Sequence, residues 1–439
     1  MLSQRGRINA QSTILDGYKR GKNNYQKNSN PNGVVSFSNA ENFLMHQYVS
    51  SFVNKGLSMD QASLTYNEGP IGNLRLRIAM ATHINATFRP DKDVTEEHVT
   101  FAAGVTALNE ACAINLANEG EALLLGMPIY GSFHNDLTMT TKLMQDCLCP
   151  FRGTDQFSIG AATQYEHALL DAANKGIKIK ALIICNPHNP LGSCYTIACL
   201  KELFVFCEKY QLHLISDEVY ALSVFGASGT QFTSVLSVDP TGLLDSERIH
   251  VLYGLSKDFG AAGLRLGCLV TYNTQLSNAT RNIGYGQNQS ITRKFLANIH
   301  QNLVVSTGLQ SFRVQLRSKF LRIGLLLQNT YVKVICYSMS NTFLATQILK
   351  RAGISYYDTG NSGFFLWIDL SPFLKIQNRD NEDLWEAEKM LSSKLLKAGV
   401  EMSTGFAYHN EKPGWFRIIF SVEREVLEEG LRRIINTVK

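Results

Sequence analysis

No apolar run in this chain approaches the roughly 18 to 20 residues that a membrane span needs, so no segment reads as transmembrane. The first 32 residues are polar and mildly basic. They lack the apolar core and small-residue cleavage site of a secretory leader, and read as an arm or flexible lead-in. Internal repeats and long low-complexity stretches are missing too. So are dense Lys/Arg stripes: a formal net charge of +5 over 439 residues weakly favours anionic small ligands and argues against nucleic acid. The nine cysteines are scattered and odd in number. Cys185 and Cys268 sit inside apolar runs, while Cys147 and Cys149 have no second Cys or His pair at ligand spacing. No metal site is expected from that spacing; reduced thiols in a cytoplasmic protein are.

What is present is an ordinary globular composition, 45% hydrophobic and 18% charged, long enough for a large core and two or three lobes. Short apolar runs alternate with helix-like stretches, the pattern of an α/β fold. Val99–Ala102, Glu121–Leu125, Ala181–Cys185, Leu212–Ser216, Ile249–Tyr253 and Leu266–Val270 read as strands covered on both faces. Thr106–Asn118 and Ile197–Tyr210 carry helical periodicity. Beyond about Ile291 come long basic-amphipathic stretches, a strand at Gly363–Leu370 and a closing helix at Arg424–Val438, which read as a second, smaller domain. Val332–Ala345, rich in β-branched, Ser and Cys residues, interrupts an otherwise helical run. It reads as a strand or loop insertion, or as intron sequence carried into the chain.

Ligands of an open parallel sheet bind beyond the carboxyl ends of its strands, and four such ends here are followed by polar clusters. Gly104-Val105-Thr106 opens a helix, whose free N–H groups and dipole suit a phosphate or merely a cap. Asn186 to Gly192 holds two Asn-Pro steps and a glycine, a rigid turned loop able to fix an asparagine amide at the sheet mouth. Asp217, in Ser216-Asp217-Glu218-Val219-Tyr220, is either a helix cap or a partly buried carboxylate in need of a cation. Lys257 follows a buried strand end: either its stem lies on the surface and its amine reaches water, or desolvation and a carbonyl partner make the amine a Schiff-base nucleophile.

Together with these clusters stand Asn32-Gly33-Val34, Ala40-Glu41-Asn42, Tyr66 with Gly69-Pro70-Ile71-Gly72, Pro128-Ile129-Tyr130, Ser256 to Gly260 leading to Arg265, Asn361 to Phe365, and Pro413-Gly414-Trp415-Phe416-Arg417. On these motifs, spread over nearly the whole chain, the protein resembles the fold-type-I pyridoxal 5′-phosphate (PLP) enzymes. Within them it resembles the 1-aminocyclopropane-1-carboxylate (ACC) synthase and aminotransferase branch, and fungal ACC-synthase-like members most. The resemblance implies an aspartate aminotransferase-like fold with a mostly parallel central sheet and a smaller α/β domain. Residues 1–60 would form an arm and part of the small domain, 61–305 the PLP domain, and 306–439 the rest of the small domain.

The resemblance also implies a role for each matching residue. Lys257 would hold PLP as a Schiff base and carry protons at the substrate Cα. Asp217 would pair with the pyridinium nitrogen, Tyr220 and Asn189 with the ring oxygen, and Tyr130 would stack on the ring. Val105, Thr106 and Arg265 would hold the phosphate, joined by Tyr66 of the neighbouring subunit in a homodimer with shared sites. Arg417 would clamp the substrate carboxylate, with Glu41 as a second substrate contact or an exposed loop acid. One departure stands out: Gly254 replaces a phosphate-binding serine common in the family, so Ser256 or backbone groups would have to replace its hydroxyl.

The motifs leave the reaction open. ACC formation from S-adenosylmethionine, C–S lysis of a cysteine conjugate and transamination with a 2-oxo acid all use these residues. The Ala-Glu-Asn and Pro-Gly-Trp-Phe-Arg motifs tilt the expectation toward a sulfur-leaving-group lyase, and the fungal likeness toward secondary-metabolite biosynthesis; aminotransfer is the alternative. A regulator built on this fold would need a DNA-binding unit, which the stretch before Asn32 is too short to hold.

Overall fold

The computed structural model describes residues 7, 23–56, 61, 72–138, 147–225, 229–286, 320–375 and 381–439. In chain order, β1 (Val35–Ser36), α1 (His46–Gly56) and α2 (Leu74–Thr87) lead into β2 (Val99–Ala103), α3 (Val105–Leu116), β3 (Ala122–Gly126), α4 (Phe133–Thr138) and β4 (Cys147–Cys149). Next come α5 (Ala161–Asn174), β5 (Ile179–Cys185), α6 (Ile197–Lys209), β6 (His213–Asp217), β7 (Ile249–Gly254), β8 (Leu266–Thr271) and α7 (Thr274–Gly286). The remainder holds α8 (Phe320–Arg351), β9 (Ser355–Tyr356), β10 (Phe365–Asp369), α9 (Asn381–Lys397), β11 (Val400–Glu401), β12 (Ser403–Thr404), β13 (Trp415–Ile419) and α10 (Arg424–Val438).

Strands β2 to β8 form one seven-stranded sheet in the order β2-β8-β7-β6-β5-β3-β4. The β7-β6-β5-β3-β4 pairings are parallel, and β8 runs against both of its neighbours. The near-continuous apolar runs follow from cover on both faces. Successive residues of β5 enter opposite cores: Leu182 and Ile184 join the cluster on one face, Ala181 and Ile183 that on the other. The α6 N-terminus is fixed by Thr196, whose hydroxyl accepts from the Cys199 amide.

The smaller unit is a four-stranded antiparallel sheet, β12-β13-β10-β9, packed with α8, α9 and α10 around Phe416, Ile418, Leu427 and Leu431. The N-terminal segment joins it, because β1 pairs in parallel with β11. The domain limits expected near residues 60 and 305 lie outside the described residues.

Two expectations are corrected. Val332–Ala345 is no strand or loop insertion: it lies inside the 32-residue helix α8. Tertiary contacts override its β-rich composition, since Ala345 and Leu349 are buried in the small-unit core and Asn341 donates to the carbonyls of Phe420 and Val422 at 2.8 and 2.9 Å. Residues 23–32 are not a free lead-in. Arg433 donates to the carbonyls of Gly33 and Pro31 at 2.7 and 2.8 Å and lies over the Tyr25 ring. The edge strand Cys147–Cys149 is an addition to the strands expected from the sequence, too short at three residues to stand out there. All nine cysteines are free thiols, and among the described residues no cluster could hold a metal and no helix is long and apolar enough to cross a membrane.

Candidate active site

The carboxyl ends of β5, β6 and β7 open on one edge of the large sheet, and the polar clusters meet there. After β5 the chain turns through Asn186–Gly192. Asn186 donates to the Thr233 carbonyl at 2.9 Å and accepts from the Tyr195 amide at 3.2 Å. Gly192, at φ +67°, passes so close to the small unit that its carbonyl accepts from the Asn361 and Ser362 amides at 2.8 and 2.9 Å. Between these anchors Asn189 is buried and holds its side-chain oxygen 3.1 Å from Arg417 Nη1.

Asp217 is the last residue of β6. It is buried, and accepts from the Val219 amide at 3.2 Å. Burial pushes its carboxyl up to about 7, against the pull of that amide and of Lys257. Tyr220 follows, buried with its ring edge-on to Phe364 and Phe365 of the small unit. Lys257 lies three residues past the end of β7, and its amine donates to the Ala40 carbonyl at 2.8 Å. Burial, helped by the Arg417 guanidinium, lowers that amine to about 8, while Glu41 and Asp217 oppose the shift.

Gly104 stands at the cap position before helix α3, and its φ of +84° and lack of a side-chain cap leave the amides of Val105 and Thr106 open. A Cβ on Gly104 would stand 2.6 Å from Arg265 Nη2, so the glycine keeps a cradle clear beside the guanidinium. Arg265 is itself in the left-handed region at φ +52°, uncommon for a residue with a side chain. A Cβ at Gly254 would lie 2.5 Å from the Leu266 carbonyl, so the β7–β8 approach leaves no room for the serine common in the family. Ser256 does line the cavity.

Two adjoining cavities result. The inner one, with about 650 Å³ of atom-free space open to solvent, is lined by Val105, Thr106, Tyr130, Asn189, Asp217, Tyr220, Lys257 and Arg265. The outer one, with about 990 Å³, is lined by Glu41 and Arg417 among others, and shares Tyr130, Lys257 and Ala262 with the inner. Tyr66 lies outside the described residues. Arg417 is buried under the rings of Phe365 and Tyr408, at 5.3 and 5.1 Å, and also donates to the Ser38 carbonyl. Its Nε is buried with no hydrogen-bond partner among the described residues, an orphaned donor that an incoming carboxylate would satisfy.

Several lining residues were not read from the sequence. Asn109 and Asp136 are joined at 3.1 Å in the inner cavity, and burial raises Asp136 to about 6. Ser38, Ser403 and Tyr408 line the outer one. Tyr408 is brought there by a loop fastened at both ends by Glu388, which accepts from the Phe406 and Gly414 amides at 2.9 and 2.6 Å. No periodicity marks such loops; the only sequence signal was their closeness to Tyr130 and to the Pro-Gly-Trp-Phe-Arg motif.

The family model for aminotransferase class I and II matches residues 51–434. The chain is 30% identical to the probable aminotransferase sirI of Leptosphaeria maculans, over 99% of this chain and 97% of that protein. It is also 30% identical to the 1-aminocyclopropane-1-carboxylate synthase-like protein 1 of Bos taurus, over 93% of this chain and 77% of that protein. An aspartate aminotransferase double mutant of Thermus thermophilus superposes over 100% of this chain and 99% of its own at a TM-score of 0.71 and 16% identity, a likeness of fold. The donor set of the inner cavity suits PLP: an anion cradle at Gly104 and Arg265, a buried carboxylate for a ring nitrogen, and a desolvated amine between them. The chain belongs to the class I and II aminotransferase family, as a PLP-dependent enzyme with the aspartate aminotransferase fold.

Proposed function

We propose that the protein is an ACC-synthase-like lyase that acts at the Cα of a sulfur-containing amino acid and breaks a C–S bond, as a cytoplasmic homodimer with shared sites. PLP, when bound, supplies an electron sink that makes the Cα proton acidic. The amine of Lys257, already desolvated, takes that proton and can hand it on to the departing sulfur. Asp217 keeps the ring nitrogen protonated. Tyr220 and Asn189 donate to the ring oxygen, Tyr130 covers a ring face, and Val105, Thr106 and Arg265 hold the phosphate. Arg417 takes the substrate α-carboxylate in a bidentate pair, and Glu41 faces its side chain. Departure of the β-thiolate, then addition of water, gives a thiol, pyruvate and ammonia.

The observation that carries this reading is the charge pattern of the outer cavity. Among the described residues lining it, the charged side chains are Glu41, Lys257 and Arg417. One guanidinium suits one α-carboxylate. A dicarboxylic 2-oxo acid, the second substrate of many transaminations, would bring its other carboxylate toward Glu41. The second reading is transamination with a neutral 2-oxo acid, favoured by the name of the Leptosphaeria maculans relative, a probable aminotransferase.

Product analysis decides between them. The PLP-loaded protein is given a cysteine S-conjugate, S-adenosylmethionine, or an amino acid with a 2-oxo acid, each separately. Pyruvate with free thiol is the expected result. ACC alone would move the assignment to ring closure, and a new amino acid alone would overturn the lyase in favour of transamination.

A further inference from the structure

We propose that Asp258 is a positioning residue that acts through Lys257 and Tyr220, its buried carboxylate tying the turn that carries the lysine to the turn that follows the tyrosine. This rests on the reading of Lys257 as the cofactor-bearing lysine. Asp258 is fully buried. Its Oδ1 accepts from the Ser223 hydroxyl at 2.5 Å, and its Oδ2 from the Leu222 amide and the Tyr253 hydroxyl, both at 3.0 Å. Three segments therefore meet on one carboxylate: the end of β7 at Tyr253, the Lys257–Gly260 turn, and the turn after Tyr220.

Each segment is anchored elsewhere as well. The Gly260 amide donates to the Lys257 carbonyl at 3.0 Å, closing the turn in which Asp258 points inward. The Ser223 amide donates to the Tyr220 carbonyl, and the Ser223 carbonyl accepts from Gly363, which leads into the Phe364 and Phe365 rings against Tyr220; both bonds are 2.8 Å. Tyr253 is stacked on His83 and edge-on to Phe88. Asp258 is thus the link through which a shift of Tyr220 would reach Lys257.

None of these three donors is a cation, so the carboxylate is buried on neutral hydrogen bonds, an expensive arrangement if only stability were at issue. Glu218 makes a useful contrast. It too is buried on neutral donors, Ser216, Ser234 and the Val235 amide, but it ties the Asp217–Tyr220 segment to a loop at Ser234–Val235 that lines neither cavity. Asp258 ties together two segments that both carry lining residues, Tyr220 and Lys257.

The test uses the visible absorbance of the PLP-loaded protein against pH, with cofactor retention and melting temperature measured in parallel. Tyr220 donating to the ring oxygen favours the deprotonated form of the bound cofactor, so loosening Tyr220 raises the midpoint of the absorbance change. Asp258→Asn is expected to raise it by about one pH unit and to weaken retention about tenfold. Its kcat should fall while KM holds. Ser223→Ala, which removes one donor and leaves the carboxylate in place, is expected to move the midpoint the same way by less, and keeps the test open should Asp258→Asn fail to fold. A wild type with no visible band contradicts the cofactor reading itself. A wild-type band whose midpoint and retention are unchanged in the variants, with only the melting temperature lowered, overturns the role of Asp258 alone.

Discussion

The inner and outer cavities share Tyr130 and Lys257 yet are built from different material. Asp217 ends a buried strand and is paired on both sides, with Cys185 and Leu252, while Tyr220 and Lys257 each stand three residues past such a strand end. The outer wall is assembled from the β1 extension, the Gly405–Gly414 loop and Arg417 of the small sheet, segments that meet only because the smaller unit packs against the larger. The difference divides the labour. On the proposed reading, cofactor chemistry would sit on the sheet, and substrate choice on loops that can vary without disturbing it.

Substitutions test that division, the largest expected effect first. Lys257→Ala removes a group that both cavities share and should abolish turnover of every substrate; a variant with wild-type rates would refute the assignment. Arg417→Ala strikes the outer wall, and reaches the inner one only through the lost bond to Asn189 Oδ1. It should weaken α-carboxylate substrates by about 2 to 5 kcal/mol, read as a raised KM, while the protein still binds PLP. Loss of PLP binding in that variant would mean that the walls are not separable.

The pH dependence of the cofactor-free protein reports on the inner wall. Asp217 is raised from its usual value to about 7, so the folded state holds a proton that the unfolded chain has released above about 4. Folding stability contributed by this group therefore falls as pH rises from about 4 to about 7. Asp217→Asn should flatten part of that decline in melting temperature, and loading PLP should do the same by supplying a cation. Gly254→Ser should destabilise by about 1 to 3 kcal/mol, because its Cβ meets the Leu266 carbonyl at 2.5 Å. A serine that instead tightened PLP binding without loss of stability would show that the strand pair yields. The smallest effect belongs to Glu41→Gln. It should change discrimination between cationic and neutral side chains by at most about fivefold, seen in the kcat/KM ratio of S-adenosylmethionine to a cysteine conjugate.

The same division governs what the sequence could tell. Strands β5, β6 and β7 were legible because residues covered on both faces must be apolar, and the sudden Asn, Asp or Lys at each end then stands out. Helix α10 was read to its limits from its periodicity. The outer wall left little trace: Ser38, Ser403 and Tyr408 lie in segments with no period, and their meeting depends on the parallel β1–β11 pairing and on the two amides held by Glu388. Helix α8 was misread for a related reason, since the composition of Val332–Ala345 speaks for β structure and only contacts such as Asn341 with Phe420 and Val422 decide otherwise. Asp258 was visible in the motif beside Lys257, but its partners Leu222 and Ser223 lie 36 and 35 residues away.

Borohydride reduction of the PLP-loaded protein, followed by peptide mass mapping, tests the central claim most directly. The account predicts one pyridoxyl group per chain, on Lys257, with Lys257→Ala unlabelled under the same conditions. A label on another lysine, or none at all on the wild type, would contradict it.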